Sequence, residues 1–165
     1  RQTLFFSATM PPEIRKLAES MLHDPVSVAV ARVAEPIERI DQSLYYVDKP
    51  NKRKLLVDLL MRDGVKRALV FGRTKHGANK IAEYLEQARI PSAAIHGNES
   101  QAARTKALEA FRRGDLRVLV ATDLAARGID IDDVTHVINY ELPNVPETYV
   151  HRIGRTARAG ASGVA

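Results

Sequence analysis

From about residue 43 to its end, the chain alternates short apolar runs with longer amphipathic segments. The apolar runs are continuous and rich in β-branched residues, as at residues 69–71 and 118–120. Strands that are buried on both faces have this composition. The segments between them repeat apolar residues with helical spacing. The alternation therefore predicts an α/β fold, in which a parallel sheet carries helices on both faces.

The predicted elements of this region follow one another in regular order. Strands are predicted at residues 44–47, 68–72, 92–95, 118–121 and 134–139. Helices are predicted at residues 51–61, 77–87, 101–112 and 145–153, with a helical turn near 124–127. The final residues are typical of a loop followed by the first residues of another strand.

The first 42 residues follow a different pattern. Residues 3–6 and 26–30 are short apolar runs typical of strands, and residues 13–22 have helical spacing after a Pro-Pro pair. Residues 31–41 contain a proline and several charges without a period, which is typical of a linker. We predict a C-terminal remnant of a first domain at 1–31, a linker at 32–42 and a second domain at 43–165 with a truncated last strand. The chain is thus expected to be a fragment of a larger protein.

Composition narrows the class of protein. A hydrophobic fraction of 45% in 165 residues argues against disorder, and the absence of cysteine excludes disulfides and thiolate metal sites. No apolar run approaches the roughly 20 residues of a membrane span, so we expect no membrane association. The absence of cysteine fits a reducing cytoplasm, which is the location that we expect. Lys and Arg number 25 against 20 Asp and Glu, a net charge of +5. This balance favours an anionic partner such as nucleic acid.

Polar groups follow three consecutive predicted strands. They include Arg73 and Thr74 after the second strand, Gln101 and Arg104 after the third, and Thr122 after the fourth. The carboxyl ends of parallel strands meet at one edge of a sheet, where ligands bind. Hydroxyl, amide and guanidinium groups donate hydrogen bonds to phosphate oxygens. No aromatic residue interrupts these loops, so base stacking is not expected.

Three arginines recur at every third position near the C-terminus: Arg152, Arg155 and Arg158. On a helix, this spacing would keep them on one face. The guanidinium fork suits a polyanion. The alternative is a solvated basic helix end, which we disfavour because two glycines and Thr156 make this a poor surface helix.

Each of these residues also has a plainer interpretation. Thr74 and Asp123 are residue types that cap helix N-termini, Gly128 suits a helix C-terminus, and Gln101 with Arg104 suits an exposed face. His96 and His151 have no partners at metal spacing, so no metal site is predicted. A cap at Thr9 is disfavoured, because the prolines at 11 and 12 have no N–H to donate. The convergence of three loops at one sheet edge favours function.

Together these motifs resemble those of the DEAD-box ATP-dependent RNA helicases of superfamily 2, over the whole chain. Residues 7–9 match motif III, 71–74 motif IV, 101–104 motif IVa, 121–130 motif V and 151–158 motif VI. The runs at 73–79, 96–98 and 139–146 are similar to the bacterial RhlE-type subgroup. The resemblance implies a RecA-like (P-loop NTPase-type) fold, here the helicase C-terminal domain.

The resemblance also implies a role for each motif residue. Arg155 and Arg158 would be catalytic arginine fingers. ATP binding or coupling would involve Gly128, Asp130, His151, Arg152, Ser7 and Thr9. RNA phosphates would be held by Arg73, Thr74, Gln101, Arg104 and Thr122.

ATP and Mg²⁺ are the implied cofactors of the full-length enzyme. The chain lacks a phosphate-binding loop and the Asp-Glu-Ala-Asp sequence, so these would belong to a missing N-terminal RecA-like domain. The 165 residues alone are therefore expected not to hydrolyse ATP. Two departures from the family pattern stand out: Ala157 replaces the usual Gly, and Asn98 the common Asp. An Ala would be harmful at position 157 only if φ were positive or the backbone packed closely there.

Two other functions fit parts of this evidence. A non-catalytic nucleic-acid-binding module would bind RNA without nucleotide, and a DNA-translocating superfamily 2 enzyme would prefer DNA as its stimulant. The apolar start of the chain further predicts a dimer or a strand swap through residues 1–30, because uncovered edge strands invite pairing.

Overall fold

The computed structural model describes residues 2–7, 10–28, 39–126, 133–158 and 160–165. The chain divides into two compact units, Arg1–Arg32 and Val33–Ala165. The sequence-based identity of each unit as part of a RecA-like domain pair stays a prediction.

In the first unit, helix α1 spans Pro12–Met21, within one residue of the prediction. Pro12 is tolerated there because the first turn of a helix needs no N–H donor from it. The strand predicted at residues 3–6 is wrong: the segment is irregular, and Leu4 and Phe6 are 69% and 86% exposed. The described part of the second predicted strand, at 26–28, is also irregular. Strands require a paired neighbour, and the described residues of this unit offer these segments none.

In the second unit, the described residues form a parallel sheet of six strands in the order β1-β6-β5-β2-β4-β3. The strands are β1 Ile40–Asp41, β2 Ala68–Phe71, β3 Ser92–Ile95, β4 Val118–Ala121, β5 His136–Asn139 and β6 Gly163–Val164. The helices are α2 Lys52–Leu60, α3 Lys75–Gln87, α4 Gln101–Arg113, α5 Asp123–Ala126 and α6 Pro146–Ile153, and a 3₁₀ turn, Lys49–Asn51, precedes α2. The predicted α/β class is confirmed.

The first strand of the sheet lies earlier in the chain than predicted. Residues 44–47 form no strand, and Tyr46 is 93% exposed. Strand β1 lies instead at Ile40–Asp41, inside the segment that was assigned to the linker. Ile40 is buried and pairs with Gly163 of β6. Burial against a neighbouring strand thus selects Ile40 over the more apolar run that follows it.

The core has two layers, one on each face of the sheet. Ala68 and Val70 of β2 face the cluster built with α2 and α3, which includes Leu60 and Leu85. The alternate residues Leu69 and Phe71 belong to a second cluster, with Phe111 of α4 and Ala125 of α5. This alternation follows from the two-residue period of a strand. It explains why the central strands are apolar at every position.

Four neighbouring strands of the sheet, β5, β2, β4 and β3, end in one row. Phe71 pairs with Ala121 and Asn139, and Ala121 pairs also with Ile95. With about 4.8 Å between neighbouring strands, the residues that follow this row form one narrow edge. The predicted functional loops begin there.

At the other end of the strands, a polar layer secures the loops. The hydroxyl of Thr135 donates to the Arg67 carbonyl at 3.0 Å, and Arg67 pairs with Asp133 at 2.9 Å. Burial lowers the pKa of His136 below its usual value.

No helix within the described residues is long and apolar enough to cross a membrane.

Candidate functional site

The turn after β2 carries Arg73 and Thr74, both exposed. Thr74 is the N-cap of α3, and its hydroxyl accepts a hydrogen bond from the Gly77 N–H at 3.0 Å. A Cβ at position 77 would lie 2.8 Å from that hydroxyl oxygen, so glycine permits the close approach. The capping interpretation of Thr74 is therefore confirmed. A hydroxyl that accepts at its oxygen still has its hydrogen to donate to a ligand.

The loop after β3 is organised by a buried histidine. His96 is 5% exposed, and its Nε2 lies 2.9 Å from Asn79 Oδ1 and 3.2 Å from Glu99 Oε1. These partners explain its burial. Among the described residues, no group of three or more His, Cys, Asp or Glu is arranged to hold a metal ion.

A lysine links the loops that follow β2 and β3. Lys75 Nζ lies 2.5 Å from Asn98 Oδ1, where the family pattern commonly has Asp. The neutral amide of Asn98 supplies an acceptor without cancelling the lysine charge. The net positive charge of this corner is accordingly higher than an aspartate would leave it.

Helix α4 presents Gln101 and Arg104 beside the turn after β4. Ser100 caps this helix, so that Gln101 is its exposed first residue. Arg104 is half-buried, and its Nη2 donates to the carbonyl of Ala125 in α5 at 2.8 Å. The structure thus brings together the predicted residues of motif IVa and the helix that follows Thr122. Thr122 itself is 8% exposed, with its backbone N–H bonded to the Ile95 carbonyl at 3.3 Å.

Arg152 lies in the interior, with 2% of its surface exposed. Its Nε and Nη2 donate to the two carboxylate oxygens of Asp123 at 2.5 and 2.8 Å. Its Nη1 donates to Asn139 Oδ1 at 3.0 Å and to the Glu141 carbonyl at 2.6 Å. The guanidinium also lies 4.9 Å from the centre of the Phe71 ring. Four of its five N–H groups are occupied, so Arg152 can couple loops but has little left for a nucleotide.

The three arginines do not share one helical face, and that prediction is wrong. Helix α6 ends at Ile153, and the N–H groups of Arg155 and Thr156 bond three residues back instead of four. Arg155 and Arg158 are half-buried in the turns that follow. Arg158 Nε donates to the Gly154 carbonyl at 3.2 Å. Because the backbone is tightened after Ile153, Arg155 and Arg158 do not continue the helical face that carries Arg152.

Ala157 lies between these two arginines in a left-handed conformation, with φ of 56°. It is 9% exposed and packs with Ile40 and Ile153. The condition under which an alanine was expected to be harmful is met here. A β-carbon at positive φ is strained relative to glycine.

The remaining predicted site residues are placed as follows. Ser7 is exposed in the first unit, and His151 is exposed on α6. Thr9, Gly128 and Asp130 lie outside the described residues.

Tyr140, which was not a predicted site residue, follows β5 and is half-buried. Burial raises its pKa, and the charge and hydrogen bond of Arg53 oppose that shift in part.

Glu141 was not among the predicted site residues. Its carboxylate accepts the backbone N–H of Arg73 at 2.7 Å, directly beside the predicted RNA-binding turn. The signal available in the sequence is an acidic residue two positions after a strand that ends at the same edge. An acidic side chain does not suit direct contact with an anionic ligand, so the pattern of phosphate-binding residue types does not select it.

Comparison with known proteins identifies the family of this chain. Residues 51–160 match the helicase conserved C-terminal domain. The DEAD-box protein SrmB from E. coli, solved with the regulator of ribonuclease activity RraA, is 42% identical, with a TM-score of 0.71 over 76% of this chain and 74% of that one. A DEAD-box protein from Methanococcus jannaschii is 40% identical, with a TM-score of 0.73 over 96% of this chain. S. cerevisiae Dbp5, solved with RNA and ADP BeF3, is 30% identical over 96%, with a TM-score of 0.83.

The chain belongs to the helicase conserved C-terminal domain family, and these structural relatives are DEAD-box proteins. It spans 42% of the Methanococcus jannaschii chain and 42% of the Dbp5 chain. The RecA-like fold expected from the resemblance is thereby confirmed.

Proposed function

We propose that this chain is the C-terminal half of an ATP-dependent RNA helicase that couples ATP binding and hydrolysis to the unwinding or remodelling of RNA duplexes. It would contribute half of the RNA-binding surface and two arginine fingers. The observation that carries the proposal is the common row in which β2, β3, β4 and β5 end. The predicted motifs IV and IVa follow that row, and the residues that follow β4 begin motif V.

RNA would be held by its phosphates at this edge. Thr74 and Gln101 are exposed at the N-terminal ends of α3 and α4, where backbone N–H groups and the helix dipole favour anions. Arg73, Arg104 and Thr122 are the further contacts of the proposal. Because such contacts reach the backbone rather than base edges, binding would be independent of sequence.

ATP would meet the segment that follows α6. Phosphoryl transfer spreads negative charge over the phosphoryl oxygens, which a preplaced guanidinium stabilises. Arg155 and Arg158 fit an anionic group, since both lie beyond the helix end and keep part of their surface open. Asp130, Gly128 and His151 would contact or sense the nucleotide. Ser7 and Thr9 would help to couple the nucleotide state to RNA binding.

The proposal assigns Mg²⁺ and the phosphate-binding loop to an N-terminal RecA-like partner domain. The solved structure of S. cerevisiae Dbp5 contains RNA and ADP BeF3. By analogy, this chain would work only together with that other domain. We further propose that the protein is bacterial, that it is located in the cytoplasm and that it belongs to the RhlE-type subgroup.

The test compares ATP hydrolysis by the 165-residue chain and by the full-length protein. The chain alone should show no turnover, and the full-length protein should be stimulated by single-stranded RNA more than by DNA of equal length. Robust hydrolysis by the chain alone would contradict the split site. Stimulation by DNA alone would indicate a DNA translocase, and nucleotide-independent RNA binding without hydrolysis would indicate a passive binding module.

A further inference from the structure

Glu141 lies two residues beyond Asn139, the last residue of β5, and is held through both of its backbone groups. Its N–H donates to the carbonyl of Phe71, the last residue of β2, at 3.2 Å. Its carbonyl accepts from Nη1 of the buried Arg152 at 2.6 Å. These two bonds fix the main chain of Glu141 between β2 and α6. The side chain of Glu141 therefore starts from a fixed point, and its own contacts decide where the carboxylate lies.

The carboxylate of Glu141 reaches from this point to the turn after β2. Its Oε2 accepts the Arg73 backbone N–H at 2.7 Å, and its Oε1 lies 3.7 Å from Arg73 Nε. The Arg73 side chain is 54% exposed, so the ion pair contributes little. The hydrogen bond to the backbone N–H is charge-assisted and is the stronger of the two interactions. What Glu141 fixes is thus the course of the main chain at Arg73.

We propose that Glu141 is a positioning residue for RNA binding, which holds the turn at residues 73–74 in the place set by Arg152. The inference rests on the proposed function, since it takes this turn to be a contact for RNA phosphates. The Arg73 main chain leads directly into Thr74, the cap of α3. A displaced Arg73 would move the Thr74 hydroxyl and the first N–H groups of that helix together.

Simple electrostatics predicts the opposite effect for this residue. A carboxylate beside a phosphate-binding turn repels RNA, so its removal should tighten binding if charge were its only contribution. Positioning instead predicts weaker binding when the carboxylate is removed. The sign of the change separates the two explanations.

The experiment measures RNA affinity in the full-length protein, by anisotropy of a fluorescent single-stranded polyuridine with a non-hydrolysable ATP analogue. Glu141→Ala should weaken binding about tenfold, as expected for loss of one hydrogen bond to a charged group. Glu141→Gln should stay within about twofold of the wild type, because its amide oxygen still accepts the Arg73 N–H. Glu147→Ala is the matched control: it removes the same charge from an exposed position in the first turn of α6, and should leave affinity equal or higher.

A second pair of variants separates positioning from general loss of structure. In a protein that already carries Thr74→Ala, the added Glu141→Ala substitution should weaken RNA binding by less than about twofold. The effects of two residues that act through one contact are not additive. Glu141→Asp keeps the charge but shortens the side chain, and should bind about fivefold more weakly if reach matters. This variant also decides the question if Glu141→Ala unfolds.

Three results would overturn the inference: Glu141→Ala binding as tightly as the wild type or more tightly, Glu141→Gln binding as weakly as Glu141→Ala, or an undiminished effect in the Thr74→Ala background. A wild-type protein that fails to bind RNA would instead refute the proposed function.

Discussion

Arg152 and the pair Arg155 and Arg158 have the same side chain at the same spacing, yet they lie in different surroundings. Arg152 is inside α6 and almost fully buried against Asp123. The other two follow the end of the helix and remain half-buried. The difference arises where α6 ends, at Ile153. One arginine of the motif is held inside the fold, and two lie in the turns beyond the helix, where we propose that they meet a ligand.

Because their surroundings differ, we expect substitutions of the two kinds of arginine to change different measured properties. A buried guanidinium with four internal hydrogen bonds should influence the free energy of unfolding. A partly exposed guanidinium beyond the helix end should influence ligand binding and turnover with less effect on stability.

The largest loss of stability is expected for Arg152→Ala. It removes the partner of Asp123 and the cation over the Phe71 ring, and should lower the free energy of unfolding by about 3 kcal/mol. This is the low end for a buried pair, because the Asp123 side chain is 41% exposed and regains hydration. Urea denaturation provides the measurement. Arg155→Ala is the control and should change the free energy of unfolding by less than about 1 kcal/mol. Equal losses of stability in both variants would contradict a different role for Arg152.

A smaller effect of opposite sign is expected for Ala157→Gly. Relief of the strained φ of 56° should outweigh the lost methyl contact and the entropy of glycine, and should stabilise the chain by roughly 0.5 kcal/mol. Ala82→Gly is the matched control, since Ala82 is similarly buried but lies inside α3. Helix propensity predicts that this control is destabilised by about 1 kcal/mol. A destabilised Ala157→Gly would mean that packing against Ile40 outweighs backbone strain.

Much of the second unit could be predicted because its central strands are buried on both faces. Val118–Ala121 has the predicted bounds, since its apolar character is continuous and ends sharply at a polar turn. The edge strand Ser92–Ile95 also has the predicted bounds, although Ser92 is polar and Ala93 and Ala94 are only half-buried. The first strand could not be predicted, because Ile40 is an isolated apolar residue whose burial depends on β6. The strand predicted at 3–6 failed for the related reason that strand formation needs a neighbour that composition does not reveal.

Sequence predicted that the candidate loops begin at one sheet edge, but not the contacts within them. The loops after β2, β3 and β4 were predicted by their position after apolar runs. The burial of Arg152 could not be predicted, because it depends on Asp123 and Asn139, which are distant in sequence. The end of this helix near Ile153 was predicted correctly, but the shared face of the three arginines was not, because Arg155 and Arg158 lie in the turns beyond that end.

The central claim is that the arginines beyond α6 act on a ligand while Arg152 maintains the fold. RNA-stimulated ATP turnover of the full-length Arg158→Ala variant tests it most directly, with unfolding and RNA affinity measured on the same preparation. We predict that turnover falls about a thousandfold, as for loss of an arginine finger, while stability and RNA affinity stay near those of the wild type. Turnover within a few-fold of the wild type, or an equal loss of turnover and RNA affinity, would contradict the claim.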